Sequence, residues 1–365
     1  MARTIFSALL ANALFTACAE QEPIFSGRHV DYYGDIDGPV LCAGGLEHVD
    51  RYIERVSEFL GGELAENYRT KVWIGDGSKC TSNQGCYLSG ERIVYIGNSL
   101  DPPGYTTGGL LRHEVSHAVI DHFWGQSAPF FEEGLAETLA NSLVTGEVPD
   151  SLSSVRSMLG ASAPQVDYTA AARFSRYLID AHGLEQFRKL YQSAGNLTED
   201  EIVSRIEVIY SEDYETLEKE YLAAGLRCKY QLHICDSGED ETLEPNQQFL
   251  SAASCLDPDF YGSENNLNTG TATTYDTMAT QTNLHVRHGG TYRLFHPVQI
   301  ARDSGGLIIR SNVLLTRCGD CTQQFSEFIT GSDELYLPEG TYTLEFNPVE
   351  ESVMMLDLEV IELDP

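Results

Sequence analysis

His113, Glu114 and His117 fall in the stretch LLRHEVSHAVIDHFWG, residues 110–125. On an α-helix, residues four apart lie about 40° apart on one face, one turn above each other. Two imidazoles so placed can share a tetrahedral metal ion, and zinc is the usual occupant of such a pair. Glu114 then stands beside the ion without ligating it, placed to act as general base on a water. His122 lies about 140° around the helix from His117 and cannot join them. His182 sits at an expected helix C-terminus, where its charge suits the dipole. His285, His288 and His296 are scattered over expected strands and read as structural.

The elements that must position these residues can be read from periodicity. Residues 27–34, 70–77 and 91–97 alternate and are β-prone, so each is expected to be a strand. Between the first two, Val49, Ile53, Val56 and Leu60 recur at helical spacing and the pattern stops at glycine. KCTSNQGC, residues 79–86, reads as a loop. From Thr107 the pattern is helical for over a hundred residues. Helices are expected over 107–125, 130–146, 168–183, 184–195, 198–210 and 213–226. Most end near a glycine, and Thr198 with Glu201 matches a capping box.

Residues 236–248, DSGEDETLEPNQQ, are acidic and nearly free of apolar side chains, which reads as a linker. Few contacts should cross it. Beyond it, 282–297, 306–319, 333–348 and 352–363 alternate and break at glycine or proline, as in a β-sandwich. No internal repeat is evident. The fold class is therefore α+β, a mixed and mainly helical domain over 24–235 followed by an all-β sandwich over 249–365.

The chain has 365 residues, 23 basic and 55 acidic, for a formal charge of −32. Such a surface repels phosphate backbones and excludes nucleic acid as a partner. It favours solubility, in salty surroundings as well. Residues 1–18 read as an export signal, with Arg3 followed by an apolar run from Ile5 to Phe15. FTAC, residues 15–18, is similar to a bacterial lipobox, which would place a lipid anchor on Cys18. ACA, residues 17–19, equally fits plain secretion with cleavage after Ala19. Export from a bacterial cell is expected either way, to the cell envelope or beyond it. The eight remaining cysteines form an even set that reads as disulfides. Short spacing favours Cys80–Cys86 and Cys318–Cys321, with a structural metal at CGDC the alternative for the latter.

Glu133 follows His117 after fifteen residues and opens the motif EEGLAE on a second helix able to run antiparallel to the first. Here the chain resembles the gluzincins, the thermolysin and aminopeptidase group of zinc peptidases. The resemblance spans roughly residues 24–230, and its specific motifs occupy about thirty of them. It implies Zn2+ held by His113, His117 and Glu133, with Glu114 as base. It also implies that Glu137 accepts the free ring N–H of His113, fixing the tautomer of a ligand. Tyr168, at the start of YTAAARFSRYLIDAHG, matches a tyrosine that stabilises the oxyanion in the aminopeptidases. Glu132 is left as a solvated charge at the helix start. No G-x-M-E-N sequence lies upstream, so recognition of a free N-terminus loses support and endopeptidase cleavage of proteins or peptides is favoured. The strand at 91–97 would then be an edge to which an extended substrate adds itself. LPEGTYTLEF, residues 337–346, resembles the penultimate hairpin of small sandwich domains found after secreted bacterial peptidases. Two other readings stay open: an inactive binding or scaffold protein on a peptidase fold, and a zinc hydrolase acting on a non-peptide envelope component.

Overall fold

Alternation and helical periodicity become two bodies of buried side chains in a computed structural model. It describes residues 22–34, 41–74, 79–80, 85–96, 109–140, 154–224, 242–243, 248–252, 254–260, 279–296, 301–302, 308–309, 312–318, 326–329, 331–347 and 353–363. The export segment with Cys18 lies outside these residues, as do Cys228, Cys235 and Cys321.

The first body starts with a five-stranded sheet of β1 (Phe25–Ser26), β2 (Val30–Gly34), β3 (Thr70–Ile74), β4 (Gly85–Leu88) and β5 (Ile93–Ile96). Its order is β1-β2-β3-β5-β4, with β2, β3 and β5 parallel and β4 antiparallel to β5. The expected edge strand at 91–97 is therefore internal, and among the described strands β4 is the edge on that side. Sequence hid β4 because GCYL has four half-buried residues, no alternation, and a glycine and a cysteine where strands rarely begin. Between β2 and β3, α1 (Gly45–Phe59) buries Val49, Tyr52, Ile53 and Val56 against the sheet.

The helices follow in the expected order. They are α2 (Gly109–Trp124), α3 (Pro129–Ala140), α4 (Tyr168–His182), α5 (Leu184–Ser193), α6 (Glu199–Tyr210) and α7 (Tyr214–Ala223). Gly125 ends α2 at φ +78°, a conformation that costs an L side chain energy. The capping box is present, the Thr198 N–H donating to Glu201 Oε2 at 2.9 Å. Asp167 and Asp213 cap α4 and α7.

In the second body, one sheet has the order β13 (Ser326–Ile329), β12 (Asn312–Arg317), β15 (Gly340–Asn347), β8 (Thr280–Val286) and β6 (Thr242–Leu243). The other runs β14 (Gly331–Leu337), β9 (Gly290–His296), β16 (Val353–Leu363) and β7 (Gln248–Ala252). Leu284, Leu315, Tyr342 and Phe346 of the first sheet meet Tyr292, Leu294 and Leu358 of the second in one buried cluster. Thr242–Leu243, inside the stretch read as linker, pairs in parallel with β8. An acidic composition does not prevent a two-residue strand from adding to a sheet edge.

The expected hairpin at LPEGTYTLEF is not a hairpin. β14 pairs with β9 and β15 with β12 and β8, so the chain arches from one sheet to the other. β8 and β9 are likewise on opposite sheets. Each arch enters its second strand at Gly-Thr-Tyr, residues 290–292 and 340–342. The Tyr292 hydroxyl donates to His288 O at 2.6 Å and that of Tyr342 to Pro338 O at 2.8 Å. This short repeat was missed because three letters carry little signal.

Cys80 pairs with Cys86 as spacing suggested, and Cys42 pairs with Cys255 across 213 positions. Cys318 is also disulfide-bonded. The Cys42–Cys255 bond joins the two bodies just before α1. Beside it the Ala43 N–H donates to Cys255 O at 2.9 Å and the Gly44 N–H to Phe260 O at 2.8 Å. A Cβ on Gly44 would strike the carbonyls of Pro258 and Phe260, so only glycine permits this approach. Among the described residues no helix is long and apolar enough to cross a membrane.

Candidate metal centre

One side of α2 buries Leu111, Val115 and Val119, and the turns between carry His113 and His117 towards α3 and Glu114 towards β4. His113 and Glu114 are each only 6 % exposed. Groups of this kind stay inside an apolar body only when other polar groups meet them. Arg112 Nε donates to Ala140 O at 2.9 Å, which ties the start of α2 to the end of α3 and sets the pair antiparallel. From the other side, the Tyr52 hydroxyl on α1 lies 2.6 Å from Ser116 Oγ, which in turn donates to Arg112 O.

Three donor atoms converge. His113 Nε2 lies 3.0 Å from Glu133 Oε2 and 3.1 Å from His117 Nε2, and His117 Nε2 lies 3.3 Å from the same carboxylate oxygen. Tetrahedral zinc with bonds of about 2.0 to 2.1 Å separates its ligands by about 3.3 to 3.4 Å. The triangle needs to open by only a few tenths of an ångström to take such an ion. These three residues form a group that could hold a metal ion, each giving one ligand atom. Behind them, His113 Nδ1 is 3.1 Å from Glu137 Oε2, where a carboxylate fixes the ring's orientation and leaves Nε2 facing the triangle.

The electrostatics agree with the donor set. Burial pushes the His113 pKa down, but the hydrogen bonds of Glu133 and Glu137 outweigh it and hold it up at about 10. Burial would raise Glu133, yet its bonds to His113 and His117 keep it well below the usual carboxylate range. A proton and a metal ion compete for such nitrogens. Burial raises Glu114 above an ordinary carboxyl, partly offset by His113 and His117 and by a backbone hydrogen bond from Tyr87. That shift moves a carboxyl towards the range in which a base both takes and returns a proton.

Tyr168 begins α4 and is brought to the same place. Its ring stacks on the His113 imidazole, centroids 5.6 Å apart and planes within 2°, and its hydroxyl bonds to Glu133. Burial and the surrounding carboxylates raise its pKa, so the phenol keeps its proton and remains a donor. It is 39 % exposed, so this side of the site is reached by solvent. Glu132 departs from expectation. It is half-buried, accepts the Ser127 N–H at 2.6 Å and so ties down the turn between α2 and α3. Its carboxyl is raised chiefly by burial.

Gly134, next to Glu133, sets how closely α3 approaches α4. A Cβ there would lie 2.6 Å from Ser175 Oγ and 2.7 Å from Ala171 O. Thr138 Oγ1 bonds across the same seam to Ala172 O at 2.9 Å. Gly134→Ala should therefore cost about 1 to 3 kcal/mol and weaken metal binding, because separating these helices displaces Glu133. Thermal melting and a metal titration check this; a variant matching its parent in both would contradict the account.

Sequence reasoning missed two further residues here. Tyr87, on β4, donates its hydroxyl to Asp121 Oδ2 at 2.7 Å. Asp121 lies one turn beyond His117 on α2. A tyrosine in a strand that was not foreseen offers no signal.

No known family matches the sequence, and no curated protein matches it. Among solved structures, the pre-peptidase C-terminal domain of a collagenase from Bacillus anthracis is similar at 10 % identity and TM-score 0.20, covering 33 % of this chain and 92 % of that one. A Drosophila melanogaster CENP-C cupin domain is similar at 12 % identity and TM-score 0.16, over 31 % of this chain and 75 % of that one. A family GH115 4-O-methyl-α-glucuronidase is similar at 8 % identity and TM-score 0.19, over 68 % and 41 %. Likenesses of this strength carry no argument about fold or function.

Proposed function

We propose that this chain is an exported zinc metallopeptidase that cuts within protein or peptide substrates. The observation that carries the reading is the convergence of His113 Nε2, His117 Nε2 and Glu133 Oε2 on one point, with the Glu114 carboxyl buried beside them. Two neutral nitrogens and one carboxylate are the donor set of a hydrolytic zinc site with room for a fourth ligand. When bound, zinc supplies Lewis acidity, lowering the pKa of a water and polarising a neighbouring carbonyl.

The chain's own residues supply the rest. Glu114 takes the proton from the attacking water on a carboxyl oxygen and delivers it to the leaving amine nitrogen. The Tyr168 hydroxyl, still protonated, is a donor for negative charge developing on the carbonyl oxygen. Glu137 holds the His113 ring so that Nε2 faces His117 and Glu133, with which it would hold the ion. An extended substrate has an edge to pair with in β4, whose Tyr87 backbone bonds Glu114 itself. Export is supported by the disulfides, which persist in oxidising surroundings.

A digest of a diverse peptide library by the zinc-loaded protein, with and without a chelator and read by mass spectrometry, tests the reading. Internal cuts that vanish with chelator are expected. Terminal trimming alone would make it an exopeptidase, and no cleavage by a fully loaded protein would leave a binding protein or a hydrolase of other substrates.

A further inference from the structure

We propose that Tyr87 is a positioning residue for substrate, a hook that fastens the edge strand β4 to the metal-site helix α2. The inference deepens the peptidase reading and rests on it. β4 is four residues long and, among the described strands, pairs with β5 alone, so that ladder gives it little hold. Cys86 ties its start to Cys80. On the side facing the helix, Tyr87 makes two attachments: its backbone bonds Glu114 and its hydroxyl bonds Asp121 at 2.7 Å.

Glu114 and Asp121 are seven residues apart, which on a helix is two turns, about 10 Å along the axis and about 20° in angle. His117 lies between them in height. The Tyr87 side chain therefore runs along α2 past the turn that carries a metal ligand, pinned at both ends. The second pin is a phenol donating to a carboxylate, a charge-assisted bond of the stronger kind. Burial and Asp121 hold the phenol well above its ordinary pKa, so it keeps the proton it donates. Asp121 sits in the last turn of α2, where the helix dipole disfavours a carboxylate, and the Tyr87 hydroxyl offsets that cost.

A strand held this way keeps its backbone at a fixed height above Glu114. A substrate that pairs with it then arrives with its scissile carbonyl in register with the base and the ion. If the hook is cut, the backbone bond from Tyr87 to Glu114 remains, so the chemical step survives while the strand that receives substrate loosens. The loss should fall on KM.

The experiment uses the full-length zinc-loaded protein and a peptide that the wild type cleaves. Tyr87→Phe and Asp121→Ala should each raise KM about tenfold, with kcat within about twofold and zinc still stoichiometric. The double variant should lose no more than either single one. Asp121→Asn, whose side-chain carbonyl still accepts from the phenol, should recover most of the loss. An unchanged KM in Tyr87→Phe overturns the proposal, as do additive losses in the double variant. A fall in kcat together with lost zinc also overturns it, since the bond would then merely support the metal site. A zinc-loaded wild type that cleaves no peptide removes the peptidase reading and the hook's role with it, and that result appears before any variant is made.

Discussion

Glu114→Gln is expected to fold, to bind zinc stoichiometrically and, on the proposed reading, to turn peptide over at least about a hundredfold more slowly than the parent. Glutamine fills the same space in a site where Glu114 is buried, and its side-chain oxygen can still accept the backbone bond from Tyr87. It lacks only a group that takes a proton. His113→Ala fails differently. It removes one corner of the donor triangle and the partner that both Glu133 and Glu137 face. Two half-buried carboxylates then lose the ring that both of them bond, so metal content should fall from one ion per chain to nearly none. Zinc analysis and single-turnover kinetics on the two variants separate the roles. A fully active Glu114→Gln protein would show that another group is the base, and stoichiometric zinc in His113→Ala would show that the ligands are elsewhere.

The second large effect is expected at Cys42–Cys255. A crosslink spanning 213 positions restricts the unfolded chain strongly, and in the chain-entropy treatment its loss costs about 5 kcal/mol. Replacing both cysteines by serine should lower the melting temperature and split one transition into two, because the buried cluster of the sandwich, to which both cysteines belong, is separate from that of the first body. Zinc binding should persist, since every donor belongs to the first body. A single transition in the serine variant would mean that more than this bond couples the bodies. The same crosslink bears on truncation near Asp236, where the stretch read as a linker begins. The shortened chain leaves Cys42 unpaired and strips residues 254–260 from the start of α1, so it needs Cys42→Ser and will be less stable than the acidic stretch suggested.

What could be read from sequence was whatever depends on short-range periodicity. The pair His113 and His117, the capping box at Thr198 and Glu201, and the glycine stops of α2 and α4 are local devices whose geometry follows from 3.6 residues per turn. The alternating strands of the sandwich were visible for the same reason. What escaped depends on contacts far apart in the chain. β4 is a strand because β5 pairs with it, and its own four letters do not show this. Glu132 is held by a turn folding back on it. The arches at Gly290 and Gly340 differ from hairpins only in which strands lie beside them. Cys42 had seven possible partners by letter alone, and distance in space chose among them.

The donors sit on two helices joined by a turn of four residues, His113 and His117 on α2 and Glu133 on α3. An ion held by all three is thus a link that the unfolded chain cannot make, and its binding energy adds to folding by mass action. Once the free ion exceeds its dissociation constant, each further tenfold adds about 1.4 kcal/mol to the stability of the native state. The population of opened molecules, and with it susceptibility to proteases, falls in the same proportion. If the chain is exported as proposed, nothing around it resynthesises a degraded copy, and the ion supply of the medium would then set how long each molecule lasts.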